Sequence, residues 1–210
     1  MLTLHHLNFS RSTRVLWLLE ELGIDYDLVR YERTPGFRAP ETLKAVHPLG
    51  KAPVLEDDEL TLAESATILT YLATRYGDGD FLPPAGTAEA ALHDEWLQYG
   101  ESSAALPIMM TLFGGMMGGL PDVMRGFADS EREKAFAYIA ARLRAGGPYL
   151  MGETFTIADI QLAYLLDVAQ SSGMLAAHSE LDAYLETLRA RPALAKALEI
   201  GGPMHPRGGS

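Results

Sequence analysis

The chain has 210 residues, 48% apolar and 21% charged, a globular balance with length for one large domain or two modest ones. A net charge of −11, from 17 basic and 28 acidic residues, argues against nucleic acid and anionic membrane as partners, because nothing neutralises phosphates in bulk. Cysteine is absent, which excludes disulfides, thiolate metal sites and any protein-cysteine nucleophile.

Met1-Leu2-Thr3-Leu4-His5-His6 lacks the charged start and long apolar core of a signal peptide, and no window approaches the roughly 18 apolar residues of a membrane span, so cytoplasm is the expectation. Leu2 to Leu7 reads as a strand. Arg14 to Leu22 reads as a helix, because Val15, Leu18, Leu19 and Leu22 share a face and Gly23 can supply a left-handed stop. Asp27 to Tyr31 reads as the next strand, giving a β-α-β unit with a parallel pair. A short helix follows over about 39–46. Val54-Leu55-Glu56 and Leu60-Thr61-Leu62 then read as two strands around the polar turn Asp57-Asp58-Glu59. After Glu64-Ser65 the pattern turns helical through Ile68, Leu69, Leu72 and Tyr76. The order β-α-β-α-β-β-α fills residues 1–76.

Gly77-Asp78-Gly79-Asp80 and Pro83-Pro84-Ala85-Gly86 mark a linker over 77–87. Residues 88–200 read as an all-α domain with helices over about 87–117, 129–145, 156–171 and 179–200, the last either continuous or with a separate segment opened by Pro192, and 201–210 as an irregular tail. Thr156-Ile157-Ala158-Asp159 fits a capping box, and it opens a nearly all-apolar helix expected at the centre of that domain. His5 and His6 have no partner at metal spacing and read as packing or surface residues, so no metal is expected.

The stretch Lys51 to Ser65 carries the most chemistry. A proline edges a hairpin, and a Glu-Ser pair stands where the next helix begins. A helix start offers unpaired N–H groups and partial positive charge, which suits a carboxylate, while Lys51 can hold a second anion. That arrangement suits a small zwitterionic peptide.

Three motifs, in order and at these gaps, resemble the cytosolic glutathione transferases along essentially the whole chain. They are His47-Pro48-Leu49-Gly50-Lys51-Ala52-Pro53-Val54-Leu55, Glu64-Ser65, and Phe155-Thr156-Ile157-Ala158-Asp159. The start, Ser10-Arg11-Ser12-Thr13-Arg14-Val15-Leu16-Trp17-Leu18-Leu19-Glu20-Glu21-Leu22-Gly23, looks like a bacterial and fungal, serine-type branch. The resemblance implies a thioredoxin-like N-terminal α/β domain and an all-α helical bundle, with Pro53 in the cis form. It implies that glutathione is the cosubstrate, with Lys51 meeting the glycyl carboxylate, the Ala52 backbone beside Pro53 pairing with the cysteinyl part, and Glu64 and Ser65 taking the γ-glutamyl end. It also implies a homodimer.

Conjugation needs the thiolate, yet a thiol with a pKa near ~8.5 is only a few per cent ionised at neutral pH. One hydrogen bond to a charged group is worth about 1.5–3 kcal/mol, enough to lower that pKa by roughly one to two units. A single hydroxyl therefore suffices. Ser10, four residues before Arg14, has the spacing of the thiolate-binding hydroxyl in serine-type members. Asn8 and Arg11 are alternatives on the same loop, with Ser12 and Thr13 as further donors, and an ordinary helix N-cap is the plain structural role for Ser10. In the family the first long helix of the second domain lines the electrophile pocket, making Tyr99, Met109, Met110 and Phe113 candidates, with core packing as their other reading. The activity expected is glutathione transfer to a small apolar electrophile. The alternatives are glutathione-dependent peroxide or disulfide reduction at the same site, or a non-catalytic binding module on this fold.

Overall fold

The computed structural model describes residues 1–206 of the chain. It divides into two compact units, one formed by Met1–Leu82 with the segment from Arg189 onward, the other by Pro83–Leu188.

The first unit is built on β1 (Leu2–Leu7), α1 (Ser12–Leu22), β2 (Asp27–Tyr31), β3 (Val54–Asp57), β4 (Leu60–Ala63), α2 (Ser65–Tyr76) and a late helix, α8 (Pro192–Gly201). The sheet order is β2-β1-β3-β4, with β1 parallel to β2 and antiparallel to β3. Leu2 and Leu4 of β1 share one face and Leu7 lies on the other, and all three are buried, with Leu4 in register with Leu28 and Leu55. Gly23 ends α1 at φ 63°, its N–H bonded to the Leu19 carbonyl at 3.1 Å, which is the left-handed cap a β-carbon would disfavour. The helix expected over 39–46 is a 3-10 turn, Glu41–Ala45, where Leu43 alone is buried and one anchor does not sustain a longer helix. β3 runs to Asp57, one residue into the expected turn, because Asp57 still pairs with Leu2 of β1 and Leu60 of β4; its carboxylate accepts from the Tyr71 and Tyr76 hydroxyls of α2 at 2.7 and 2.6 Å.

Helix α1 is covered all round. It packs on β1, on α2 and along α8, and Ser12 through Leu19 are buried without a break. Two ion pairs fasten α8 and its approach to α1. Arg191 grips the Glu21 carboxylate with two nitrogens at 2.6 and 2.8 Å, and Lys196 meets Glu20 at 2.6 Å. Gly201 closes α8, 202–206 is irregular, and the remainder of the tail expected over 201–210 lies outside the described residues.

The second unit contains α3 (Ala88–Tyr99), α4 (Ala105–Met116), α5 (Asp122–Gly146), α6 (Ile157–Ser171) and α7 (Ser179–Arg189). A π-helical turn, Gly100–Ala104, joins α3 to α4, so the single helix expected over 87–117 is interrupted at its centre. At Gly100 a β-carbon would stand 3.3 Å from the Gln161 side chain, which accounts for glycine at that close approach. α5 begins at Asp122, just after Pro121, rather than near 129. Its first turns expose Val123, Met124 and Phe127, so the inward-facing pattern that signals a helix starts later than the helix itself.

α6 is the buried centre of this unit. The capping box at its start is present, with the Thr156 N–H donating to Asp159 Oδ2 at 2.8 Å. Asp159 is fully buried and also accepts from the Leu150 N–H at 2.9 Å and the Tyr184 hydroxyl at 2.6 Å. Burial pushes its carboxyl up, while those donors pull it down. No described helix is long and apolar enough to cross a membrane.

Two stability predictions follow from these carboxylates. Asp159→Ala removes a cap and strands buried donors on three elements, so urea unfolding should show a loss of about 2–4 kcal/mol with an unchanged slope. Asp57 lies below the ordinary carboxylate range because Tyr76 and Tyr71 donate to its charged form. A depressed folded-state pKa stabilises above the unfolded value and is lost as pH falls through the folded one. Melting temperature should therefore fall on acidification below the ordinary carboxylate range, and Asp57→Asn should flatten that limb.

Candidate functional site

The chemistry-bearing residues of the first unit gather on the loop after β1, the turn before β3 and the start of α2. The Ala52-Pro53 peptide is cis and leads directly into β3. Lys51 beside it is exposed and, among the described residues, carries no ion pair. Glu64 closes β4 and caps α2 at φ 71°, ψ 116°, a conformation that costs a residue with a β-carbon about 1–3 kcal/mol. Its side chain is exposed, so no core contact repays that strain.

Ser65, the first residue of α2, is buried, and its hydroxyl accepts from Nη1 of Arg14 at 3.1 Å. Arg14 is wholly buried on α1. A fixed guanidinium thus lies behind a helix N-terminus, and the two positive contributions add where an anion would dock. In a chain of net charge −11 that concentration is local. The arginine at this position is legible as a buried one, since it precedes Leu18 by four residues on the apolar stripe of α1.

Ser10 precedes α1 and is buried. Its hydroxyl lies 2.8 Å from the Leu7 carbonyl and 2.8 Å from Ser12 Oγ, and its oxygen accepts the Ser12 N–H at 3.2 Å, the behaviour of a helix cap. Ser12 Oγ in turn lies 2.9 Å from His6 Nδ1 and accepts the Leu7 N–H at 3.1 Å. His6 is therefore a buried polar residue held by this loop, and burial pushes its imidazole pKa down. Sequence spacing pairs His6 and Ser12 with nothing, because they meet only when the chain turns from β1 into α1.

Asn8 is committed elsewhere. Its side-chain oxygen accepts the Arg33 N–H at 2.9 Å and its amide donates to Glu32. The Arg33 guanidinium closes the clamp on the Asn8, Phe9 and Phe37 carbonyls at 3.1, 2.8 and 2.9 Å, stacked 4.3 Å over the Phe37 ring. Arg11 is half-buried at the N-cap of α1.

In the second unit Met109 and Met110 are half-buried on α4, and Phe113, one turn on, is exposed. Tyr99 packs edge-on to Trp96 at 5.5 Å and against Tyr138 at 5.2 Å, and burial pushes its hydroxyl up to about 12. A surface cleft of about 200 Å³ is lined by Leu92, Trp96, Tyr138, Ala141, Arg142 and Met151, so it borders the ring partners of Tyr99 and not the α4 methionines. Among the described residues no cluster of His, Asp and Glu could hold a metal ion.

Residues 1–74 match the family model described as glutathione S-transferase, N-terminal domain, and residues 122–200 match glutathione S-transferase, C-terminal domain. A similar curated protein is glutathione S-transferase 3 of Schizosaccharomyces pombe, 33% identical over 81% of this chain and 75% of that protein. Among solved structures, a glutathione S-transferase from Actinobacillus pleuropneumoniae is 36% identical with a TM-score of 0.86, covering 96% of this chain and 93% of its own. A sphingomonad glutathione S-transferase complexed with glutathione is 25% identical with a TM-score of 0.78, covering 95% and 98%. With both halves matched in order, and relatives aligned along most of its length, the chain belongs to the glutathione S-transferase family.

Proposed function

We propose that this glutathione transferase binds glutathione as the thiolate and conjugates it to a small apolar electrophile. The observation that carries the reading is the strained, exposed Glu64 at the start of α2, with Arg14 fixed behind Ser65. A strained residue with no packing return is a hallmark of a ligand contact. A helix start backed by a buried cation suits the α-carboxylate of a γ-glutamyl group, with Glu64 taking its ammonium.

Glutathione then lies in an extended form, its cysteinyl part pairing strand-like with the Ala52 backbone beside Pro53 and its glycyl carboxylate reaching Lys51. The Ser10 hydroxyl donates to the sulfur, and the N-terminus of α1 adds to the stabilisation. Asn8, bound to Arg33 and Glu32, holds the loop, and the half-buried Arg11 adds positive charge to it. Tyr99, Met109, Met110 and Phe113 supply the apolar lining for the electrophile, where flexible thioethers adapt to varied shapes. The protein contributes thiolate stabilisation and proximity, and forms no covalent bond to substrate. It works as a homodimer.

Glu64→Ala should raise the glutathione KM by about 10–100-fold while the fold is retained, and Lys51→Ala by no more than about five-fold, since its contact is solvent-exposed. Initial rates against varied glutathione measure both, and an unchanged KM in Glu64→Ala would remove the γ-glutamyl assignment. Ser10→Ala should raise the apparent pKa of the bound thiol by roughly one to two units, read from thiolate absorbance against pH. A panel of an aryl halide, a hydroperoxide and a small disulfide separates conjugation from reduction. Turnover of the last two alone would overturn the conjugation reading.

A further inference from the structure

Ser10, Ser12 and His6 form an unbroken chain of hydrogen-bonding atoms, with separations of 2.8 and 2.9 Å, running inward from the loop to the end of α8. The Leu7 carbonyl, 2.8 Å from Ser10 Oγ and 3.1 Å from Ser12 Oγ, is a second acceptor for both hydroxyls, and the chain conducts when each hydroxyl points along it. His6 Nε2 lies 2.9 Å from the Gly201 carbonyl, which can only accept, so Nε2 carries the hydrogen and the neutral ring leaves Nδ1 bare. Along the chain Ser12 then donates to Nδ1, because Nδ1 has no hydrogen to give. Its oxygen, already accepting the Leu7 N–H, has a lone pair left for Ser10. The Ser10 oxygen accepts the Ser12 N–H and likewise keeps one lone pair. Each member of the chain can therefore accept one proton from outside while passing one inward.

The inner end is built to take that proton. Gly201 is the last residue of α8, so its carbonyl is among those without an intrahelical partner and carries the partial negative charge of a helix C-terminus, which favours an imidazolium. The contact is close by design of the sequence: a β-carbon at residue 201 would fall 2.9 Å from His6 Nε2 and 2.6 Å from the Leu16 side chain. Among charged groups, Glu32 just beyond β2 favours the protonated ring and Arg30 on β2 opposes it, while α1 contributes Ser12 and apolar Leu16. Burial pushes the imidazole pKa down, and a thiolate arriving at the outer end adds negative charge that favours its protonation.

We propose that His6 is the proton acceptor for glutathione ionisation, receiving the thiol proton at Nδ1 through the Ser10 and Ser12 hydroxyls. The S–H bond breaks as Ser10 Oγ gains that proton. Ser10 passes its own hydrogen to Ser12 Oγ, and Ser12 passes its own to Nδ1. The products are a thiolate and an imidazolium, and every donor in the chain now points outward, so Ser10 donates to sulfur. The inference rests on Ser10 being the hydroxyl that meets the thiolate.

The test counts protons. Isothermal titration of the full chain with reduced glutathione, near neutral pH in buffers of different ionisation enthalpy, gives the protons released to solvent, with S-methylglutathione as the blank that has no thiol proton. Thiolate absorbance on the same samples gives the thiolate formed. The wild type should release far fewer protons than the thiolate it forms. His6→Gln keeps a donor for Gly201 and loses the acceptor for Ser12. His6→Asn keeps an acceptor for Ser12 that is not basic. Both should release one proton per thiolate and form it only at higher pH. Gly201→Ala, which pushes the ring off the carbonyl, should move the count the same way. A wild type that already releases one proton per thiolate overturns the relay without any variant, and so does a His6→Asn protein with the wild-type count. If Ser10→Ala leaves thiolate formation unchanged, the Ser10 assignment fails and takes the relay with it. If Ser10→Ala suppresses thiolate while the wild type releases a full proton, Ser10 stands and His6 alone is wrong.

Discussion

Burial of α1 from Ser12 through Leu19 is the constraint from which the rest of the first unit follows. A helix covered on every face has no solvent to satisfy its polar groups, and an unpaired polar group in the interior costs more than most contacts return. Arg14, Ser12 and Trp17 therefore reach to neighbours. Arg14 meets Ser65 on α2, Ser12 meets His6 on β1, and Trp17 Nε1 donates to Glu21 at 2.8 Å. Glu21 in turn is gripped by Arg191. Pairing inside one buried helix thus ties the sheet, the second helix and the last helix together.

The electrostatics of the site depend on this arrangement more than on surface charge. A strongly acidic chain repels an anionic tripeptide at long range. Attraction comes from contributions that solvent screens little: a helix start, a buried guanidinium and backbone N–H groups. In the proposed mode Lys51, being exposed, adds little affinity. In the proposed binding mode the energy is concentrated at the γ-glutamyl end, and the sulfur end is left to hydroxyl geometry.

Much of this was legible because it is local. β1 and β2 lie over the residues that alternation marked, and the capping box at Thr156 and Asp159 is a four-residue pattern. The cis proline and the Glu-Ser at the start of α2 were read from contiguous motifs. What escaped was long-range or lay on solvent-facing turns. Asp57 extends β3 through its pairing with Leu2, 55 residues earlier in the chain. α5 starts early where its side chains face outward and carry no inward pattern. Ser12 and His6 meet across a chain reversal, and Gly201 reaches them from 195 residues away.

That last contact has a consequence for synthesis. The second unit is, in sequence, an insertion within the first, because the chain returns from Arg189 onward to lay α8 along α1. On the ribosome the sheet and α1 emerge early, yet one side of α1 stays uncovered until the last helix is made. The early residues must wait through all of 83–188, holding apolar surface and a half-finished polar network exposed to chaperones and to neighbouring chains. The stretch proposed to bind the cosubstrate is among the first translated, and the helix it rests on is among the last to be covered.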